Sequence, residues 1–222
     1  LGFLIAAYEP RSVRFTIPNT GTMLTLKFAD IFDQDADWLI GVNEFFDSTV
    51  GDIVSAESLH GKIIGKVYNG NSADFRIAMD NALVAKNFEV IERELGQNKR
   101  YALGTTINVA RGHRKIFLVA ITNTDPVTHR SSSTVPVLWD ALGEAFERID
   151  SVGNGAPLAL PLIGNGRSSL NIPPQHLLRL VTLRLTDLGK KYDLPREITI
   201  CLADACFEHL DLVEIRRGWS IY

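Results

Sequence analysis

Excess positive charge is absent from this sequence: 23 Lys and Arg stand against 26 Asp and Glu, for a formal net charge of −3. A chain with that balance projects no field that would gather nucleic acid. The short clusters Arg111-Gly112-His113-Arg114-Lys115 and Arg216-Arg217 read as solvated turn or strand ends. Cysteine is scarce too. Cys201 and Cys206, the only two, lie inside or just beyond one apolar strand. That excludes a disulfide framework and reads as buried, reduced thiols in a reducing compartment. His60, His113, His129, His176 and His209 are scattered, with no metal-ligand spacing to a cysteine or second histidine, and no Ser/His/Asp arrangement can be assigned. Metal catalysis therefore has no support, and internal repeats and low-complexity tracts are lacking as well.

A bilayer-spanning run is also missing. Leu1-Gly2-Phe3-Leu4-Ile5-Ala6-Ala7 is apolar, but its seven residues fall far short of the roughly 20 that a spanning helix needs. No basic region precedes it as in a signal peptide. Two readings stay open: a buried edge segment, or the cut end of a membrane helix in a chain that begins without methionine. Residues 1–20 are accordingly expected to form an N-terminal segment, following removed transmembrane helices on the second reading, and residues 21–222 one large domain.

What is present suits a globular core, with 45% hydrophobic and 22% charged residues. Short β-rich runs alternate with longer helical patterns, the signature of an α/β fold whose sheet is covered on both faces. Strands are expected at Val13-Ile17, Met23-Phe28, Trp38-Val42, Thr105-Val109, Ile116-Ile121, Leu158-Ile163, Ile198-Leu202 and Leu212-Ile215. Helical spacing is clearest in Leu138, Leu142, Ala145, Phe146 and Ile149, and in Leu177, Val181, Leu185, Leu188 and Tyr192. Pro173-Pro174 suits the first turn of the latter helix, and Gly189 with Lys190 and Lys191 its end. A third helix is expected around Ile77, Val84, Phe88, Ile91 and Leu95, and a shorter one over Leu59, Ile63 and Ile64. Thr124 to Thr134 reads as a surface loop or a lid.

Chemistry concentrates in four segments that follow predicted strands, where ligands collect in open α/β sheets. In Pro161-Leu162-Ile163-Gly164-Asn165-Gly166-Arg167-Ser168-Ser169, an apolar strand runs into a glycine-flanked turn. Its amides can turn inward as an anion nest with no side chain in the way. Seventeen glycines in 222 residues yield about one G-x-G by chance, so context must decide. Asp30, directly after a strand, suits either an exocyclic amine or a helix N-cap. The Gly41-Val42-Asn43-Glu44-Phe45-Phe46 segment leads to the 48–55 loop, which either offers amides to a phosphate or is a surface excursion. Phe207, in Cys201-Leu202-Ala203-Asp204-Ala205-Cys206-Phe207, either stacks on a base or joins the core.

Together these segments resemble a macro domain, the ADP-ribose-binding fold. The matching residues are Ala29-Asp30-Ile31, Val42-Asn43, the Gly51–Ser55 loop followed by Ser58-Leu59-His60, and Leu162-Ile163-Gly164-Asn165-Gly166. Asp37-Trp38-Leu39-Ile40-Gly41-Val42-Asn43 and Leu160 to Arg167 look most like the macro domain of Thoeris anti-phage effectors. The resemblance covers roughly residues 21–215 and implies a three-layer α/β/α fold with a mixed, mostly parallel central sheet.

It also implies a site. Asp30 would receive the adenine amino group, Ile31 beside it belongs to the same ligand-binding set, and Phe207 would neighbour the adenine or ribose. Val50, Gly51, Asp52, Ile53, Val54 and Ser55 would cradle the diphosphate from one side. Ile163, Gly164, Asn165, Gly166, Arg167 and Ser168 would cradle it from the other, and Asn43 belongs to the same ligand-binding set. The ligand is expected to be an ADP-ribose derivative, with no cofactor and no metal. Hydrolytic macro domains carry an Asn-Ala-Ala-Asn run whose last asparagine positions the reacting ribose, and this chain reads Asn43-Glu44-Phe45-Phe46. Phe46 can neither hydrogen-bond a hydroxyl nor orient a water. Glu44 and Asp47 read as a solvated acidic pair. The resemblance therefore implies a non-catalytic sensor for a signal nucleotide such as histidine–ADP-ribose, made by a TIR-domain partner, with Thr122-Asn123-Thr124-Asp125 available to its distal group. Self-association on binding and a membrane-anchored bacterial protein with this domain in the cytoplasm belong to the same expectation. The alternatives are an ADP-ribosyl hydrolase and an interaction module with no nucleotide ligand.

Overall fold

The computed structural model describes residues 9–166 and 170–219. Arg167, Ser168 and the whole N-terminal apolar run Leu1–Ala7 lie outside the described residues. The chain folds around an eight-stranded sheet. Its strands are β1 (Ser12–Thr16), β2 (Met23–Phe28), β3 (Asp37–Asn43), β6 (Thr106–Arg111), β7 (Arg114–Thr124), β8 (Ser131–Ser132), β9 (Leu158–Pro161) and β10 (Glu197–Leu202). The separate pair β4 (Phe88–Val90) and β5 (Lys99–Tyr101) forms an antiparallel ribbon. The sheet order is β1-β2-β10-β9-β3-β7-β6, with β8 paired to β7. From β2 to β7 every pairing is parallel, while β1, β6 and β8 join antiparallel. The fold is thus the mixed, mostly parallel α/β architecture expected.

Alternation along the central strands divides the core. In β3, Leu39 faces one layer, while Trp38, Ile40 and Val42 face the other, because successive side chains leave a strand on opposite sides. The Leu39 side is covered by α3 (Val135–Val152), α4 (Pro174–Leu188) and α5 (Leu212–Trp219). The other is covered by α1 (Leu59–Lys62), the π-helical turn Ile63–Val67 and α2 (Ser72–Leu83). Strands buried on both faces read as continuous apolar runs, which is why β3, β9 and β10 stand out in the sequence.

Three expected elements differ. Leu212–Ile215 is helical: the Asp211 carboxylate accepts the Glu214 amide at 2.8 Å, as an N-cap does. Leu212 and Ile215, three apart, then share a buried face. A four-residue apolar run is too short for periodicity to separate strand from helix. The helix expected from Ile77 to Leu95 ends at Leu83 and buries Phe75, Met79 and Leu83, leaving Ile77 and Val84 exposed. The buried set repeats every four residues, so two apolar faces competed and the one on the sheet prevailed. Beyond it, Phe88 starts the ribbon. The strand expected to Ile163 stops at Pro161, because Gly164 takes φ +93° and turns the chain.

Gly61 in α1 sets how closely the 51–58 loop lies on the helix, since a Cβ there would fall 2.3 Å from the Ser55 carbonyl oxygen. Gly61→Ala should destabilise by about 1–3 kcal/mol. Gly65, where an added Cβ meets nothing within 4 Å, should gain up to about 1 kcal/mol as alanine. Denaturant unfolding of both variants checks this; equal stabilities would show that loop and helix are not in close contact.

Candidate functional site

Parallel pairing brings the C-terminal ends of β2, β10, β9, β3 and β7 to one edge of the sheet. A cleft of about 790 Å³ opens there, over β9, β3 and β7. Its walls are the 51–55 loop and the turn after β9. Of the residues expected to bind, Asn43, Gly51, Asp52, Ile53, Val54, Ser55, Ile163, Gly164, Asn165 and Gly166 all line this one cleft, as does Thr122. Another cleft, of about 640 Å³, sits at the opposite edge, among Asn19–Thr22 and Gly153–Ala156, and contains none of them.

The loop opposite the turn is held by its own backbone. Gly51 N donates to Val54 O at 3.0 Å and Val54 N to Thr49 O at 3.2 Å, and Val50 bridges Val54 without lining the cleft. In the turn after β9, Asn165 N donates to Leu162 O at 3.2 Å. The amides of Asp52, Ile53, Gly164 and Gly166 donate to nothing among the described residues. No lysine or arginine lines the cleft among the described residues. An anion seated there would be met by neutral backbone donors, which need little reorganisation.

Asp30, Ile31 and Phe207 lie outside this cleft, at the ends of the adjoining β2 and β10. The Asp30 carboxylate caps the 3-10 turn Ile31–Asp33 through the Phe32 amide at 3.1 Å and pairs with Lys66 at 2.9 Å. Desolvation pushes its pKa up, but Lys66 and the Phe32 amide outweigh that and leave it below the usual carboxylate range. Ile31 is buried in the core. Phe207 packs edge-on against Phe28 at 5.0 Å, with the Arg11 guanidinium 5.3 Å from its ring centroid and Arg11 ion-paired to Asp204. The shelf and the cleft meet where Asn165 Nδ2 donates to Cys206 Sγ at 3.0 Å. Both cysteines are free and buried, and burial pushes the Cys201 thiol up to about 12.

Glu44 and Asp47 are not solvated as the sequence suggested; they are 1% and 0% exposed. Asp47 Oδ2 accepts from Asn43 Nδ2 at 2.9 Å and from Arg93 Nη1 at 3.0 Å, and Oδ1 accepts the Gln97 amide. Asn43 Oδ1 takes the Asp47 amide in return, so the Asn43 side chain is committed at both ends. Phe46, at φ +50°, is fully buried against Tyr101. Glu44 Oε1 accepts the Thr124 amide at 2.7 Å while Oε2 has no partner. Desolvation outweighs that hydrogen bond and raises its pKa.

Sequence reasoning passed over two histidines in the cleft wall, His60 and His129, because their partners are distant in sequence. His60 is 7% exposed, stands edge-on to Phe75, and has no hydrogen-bond partner at Nε2. Desolvation, with the Arg76 charge behind it, lowers its pKa from 6.5 to about 4.

The chain also matches known proteins. The family described as "Thoeris protein ThsA, Macro domain" matches residues 24–203. No curated protein matches. Among solved structures, a glycine-to-valine variant of the Oceanobacillus iheyensis macrodomain with ADPR is similar, with a TM-score of 0.64 and 13% identity. That match covers 93% of this chain and 98% of the other. The Oceanobacillus iheyensis macrodomain with ADP follows at 0.58 and 11%, covering 93% and 97%. At such identities the likeness is one of fold.

His60 yields a signed pH dependence. Between pH 6.5 and about 4 the unfolded chain binds a proton that the folded ring refuses, so stability should fall by about 3 kcal/mol as pH drops through that window. Glu44 acts oppositely: its raised folded pKa contributes stability that is lost as pH rises through that pKa. Denaturant titrations from pH 7 to 4 should show a flatter profile for His60→Gln than for the parent. Parallel profiles would mean the ring titrates normally.

Proposed function

The chain belongs to the Thoeris ThsA macro-domain family, and on that premise we propose that it is a non-catalytic sensor of an ADP-ribose-type signal nucleotide, such as histidine–ADP-ribose. Adenine lies on the Asp30–Phe207 shelf, the diphosphate between the 51–55 loop and the 163–166 turn, and the distal ribose over the ends of β3 and β7. The loops' unpartnered amides support the diphosphate position.

One observation carries the sensor reading over the hydrolase reading. Where hydrolytic relatives have asparagine, Phe46 is buried in the core, and the neighbouring Asn43 amide is taken up by Asp47. Phe46 can position neither a ribose nor a water, and the orientation of Asn43 is set by Asp47. In this proposal a TIR-domain enzyme supplies the nucleotide, and binding drives self-association. A membrane-anchoring segment then turns assembly into membrane damage during infection.

Incubation with ADP-ribosylated protein at catalytic protein levels should release no ADP-ribose beyond one equivalent; multiple turnover would establish the hydrolase instead. For the cradle, Gly166→Glu is the sharper variant, since a side chain there meets nothing within 4 Å and the fold should survive. Like charges about 4 Å apart near a protein surface repel by about 1 to 4 kcal/mol, so calorimetry should show ADP-ribose binding weakened by that amount. Unchanged affinity would move the phosphate elsewhere. Asp30→Ala should weaken adenine nucleotides by about 1–3 kcal/mol while sparing analogues without the exocyclic amine; equal losses would remove Asp30 from adenine recognition.

A further inference from the structure

The far wall of the cleft contains a histidine whose hydrogen-bonding sense is set from behind. Arg93 is fully buried, with its Nη1 on Asp47 Oδ2 and the Gln97 carbonyl, each at 3.0 Å, and its guanidinium 4.1 Å from the Phe45 ring centroid. Its Nη2 lies 3.4 Å from His129 Nδ1. A guanidinium has only donors, so this contact requires Nδ1 to be the acceptor and leaves the ring proton on Nε2. Nδ1 faces the buried guanidinium, Nε2–H is on the other side of the ring, and His129 lines the cleft.

The loop bearing this ring is pre-shaped. Asp125 Oδ1 accepts the Val127 and Thr128 amides at 3.0 and 2.6 Å, Asp125 N donates to Arg130 O, and His129 N donates to Asp125 O. His129 itself sits at φ +56°. Beside it, Ser131 Oγ is paired with Thr124 Oγ1 at 2.8 Å, and Ser133 Oγ donates to Ile121 O at 2.7 Å. Asn43 is occupied by Asp47. The His129 ring N–H, by contrast, has no partner among the described residues.

We propose that His129, its ring proton held on Nε2 by Arg93, is the donor that reads a hydrogen-bond acceptor on the distal group of the bound nucleotide, and that Arg93 is its positioning residue. This rests on the nucleotide reading above. It assigns to the distal end an acceptor such as a hydroxyl oxygen, carbonyl or carboxylate.

Calorimetry with ADP, ADP-ribose and histidine–ADP-ribose tests it. Wild-type protein should prefer the two longer probes over ADP. His129→Ala should cost those two about tenfold, the equivalent of one lost hydrogen bond, and leave ADP unchanged. His129→Gln, which keeps an N–H at similar reach, should recover part of the loss. If the alanine variant retains the wild-type preference, or loses ADP equally, the proposal is overturned while the nucleotide site stands. If folded wild-type protein binds none of the three, the nucleotide reading fails and the proposal with it.

Long-range proton–nitrogen NMR gives a separate readout. His129 should be the Nε2–H tautomer in wild-type protein and a mixture in Arg93→Lys, which keeps a charge beside Asp47 but loses the fork. An Nδ1–H tautomer in the wild type would overturn the assignment.

Discussion

The Asp47–Arg93 pair, with both side chains inaccessible to solvent, is the interaction on which the candidate site depends. Two charges withdrawn from water are costly, and hydrogen bonds to their other donors and acceptors offset that cost, although Arg93 Nε is left without a partner among the described residues. Here Asp47 gathers Asn43, Gln97 and Arg93, and Arg93 adds Phe45 and His129. One pair therefore ties the end of β3, the ribbon of β4 and β5, and the loop after β7 into one wall. Removing either partner leaves a buried charge uncompensated, at a cost of about 3–5 kcal/mol. Its role is geometric: it determines which groups face the cleft.

That wall explains how a macro-domain cleft can sit in a chain of net negative charge. Its glycine-bearing turns present backbone amides, which carry partial charge at fixed positions, and no lysine or arginine lines the cleft among the described residues. Polar side chains that might compete for the ligand are engaged with one another. Asn43 is bound by Asp47, and Ser131 and Ser133 are tied to the end of β7.

The fold was largely legible in the sequence. The double-sided strands β3, β9 and β10 appear as unbroken apolar runs, and α3 and α4 as strong 3- and 4-residue periodicities. Errors fell where the local signal was short or ambiguous. Leu212–Ile215 has too few residues to show a period, although the Asp211 to Glu214 spacing carried an N-cap signature. In α2, Phe75-Met79-Leu83 and Ile77-Val84 compete as apolar faces, and only contact with the sheet distinguishes them.

For the site, the resemblance to a macro domain grouped Asn43, Gly51–Ser55 and Ile163–Gly166, and all of them line one cleft, because loops after parallel strands share an edge. It also showed that phenylalanine occupies the position of the usual hydrolytic asparagine. The burial of Glu44 and Asp47, the commitment of Asn43, and the presence of His60 and His129 in the wall were decided by tertiary structure. The reason is distance along the chain: Asp47 meets Arg93 across 46 residues, and Arg93 meets His129 across 36. A carboxylate reads as solvated until the cation that accompanies it into the core has been brought there by folding.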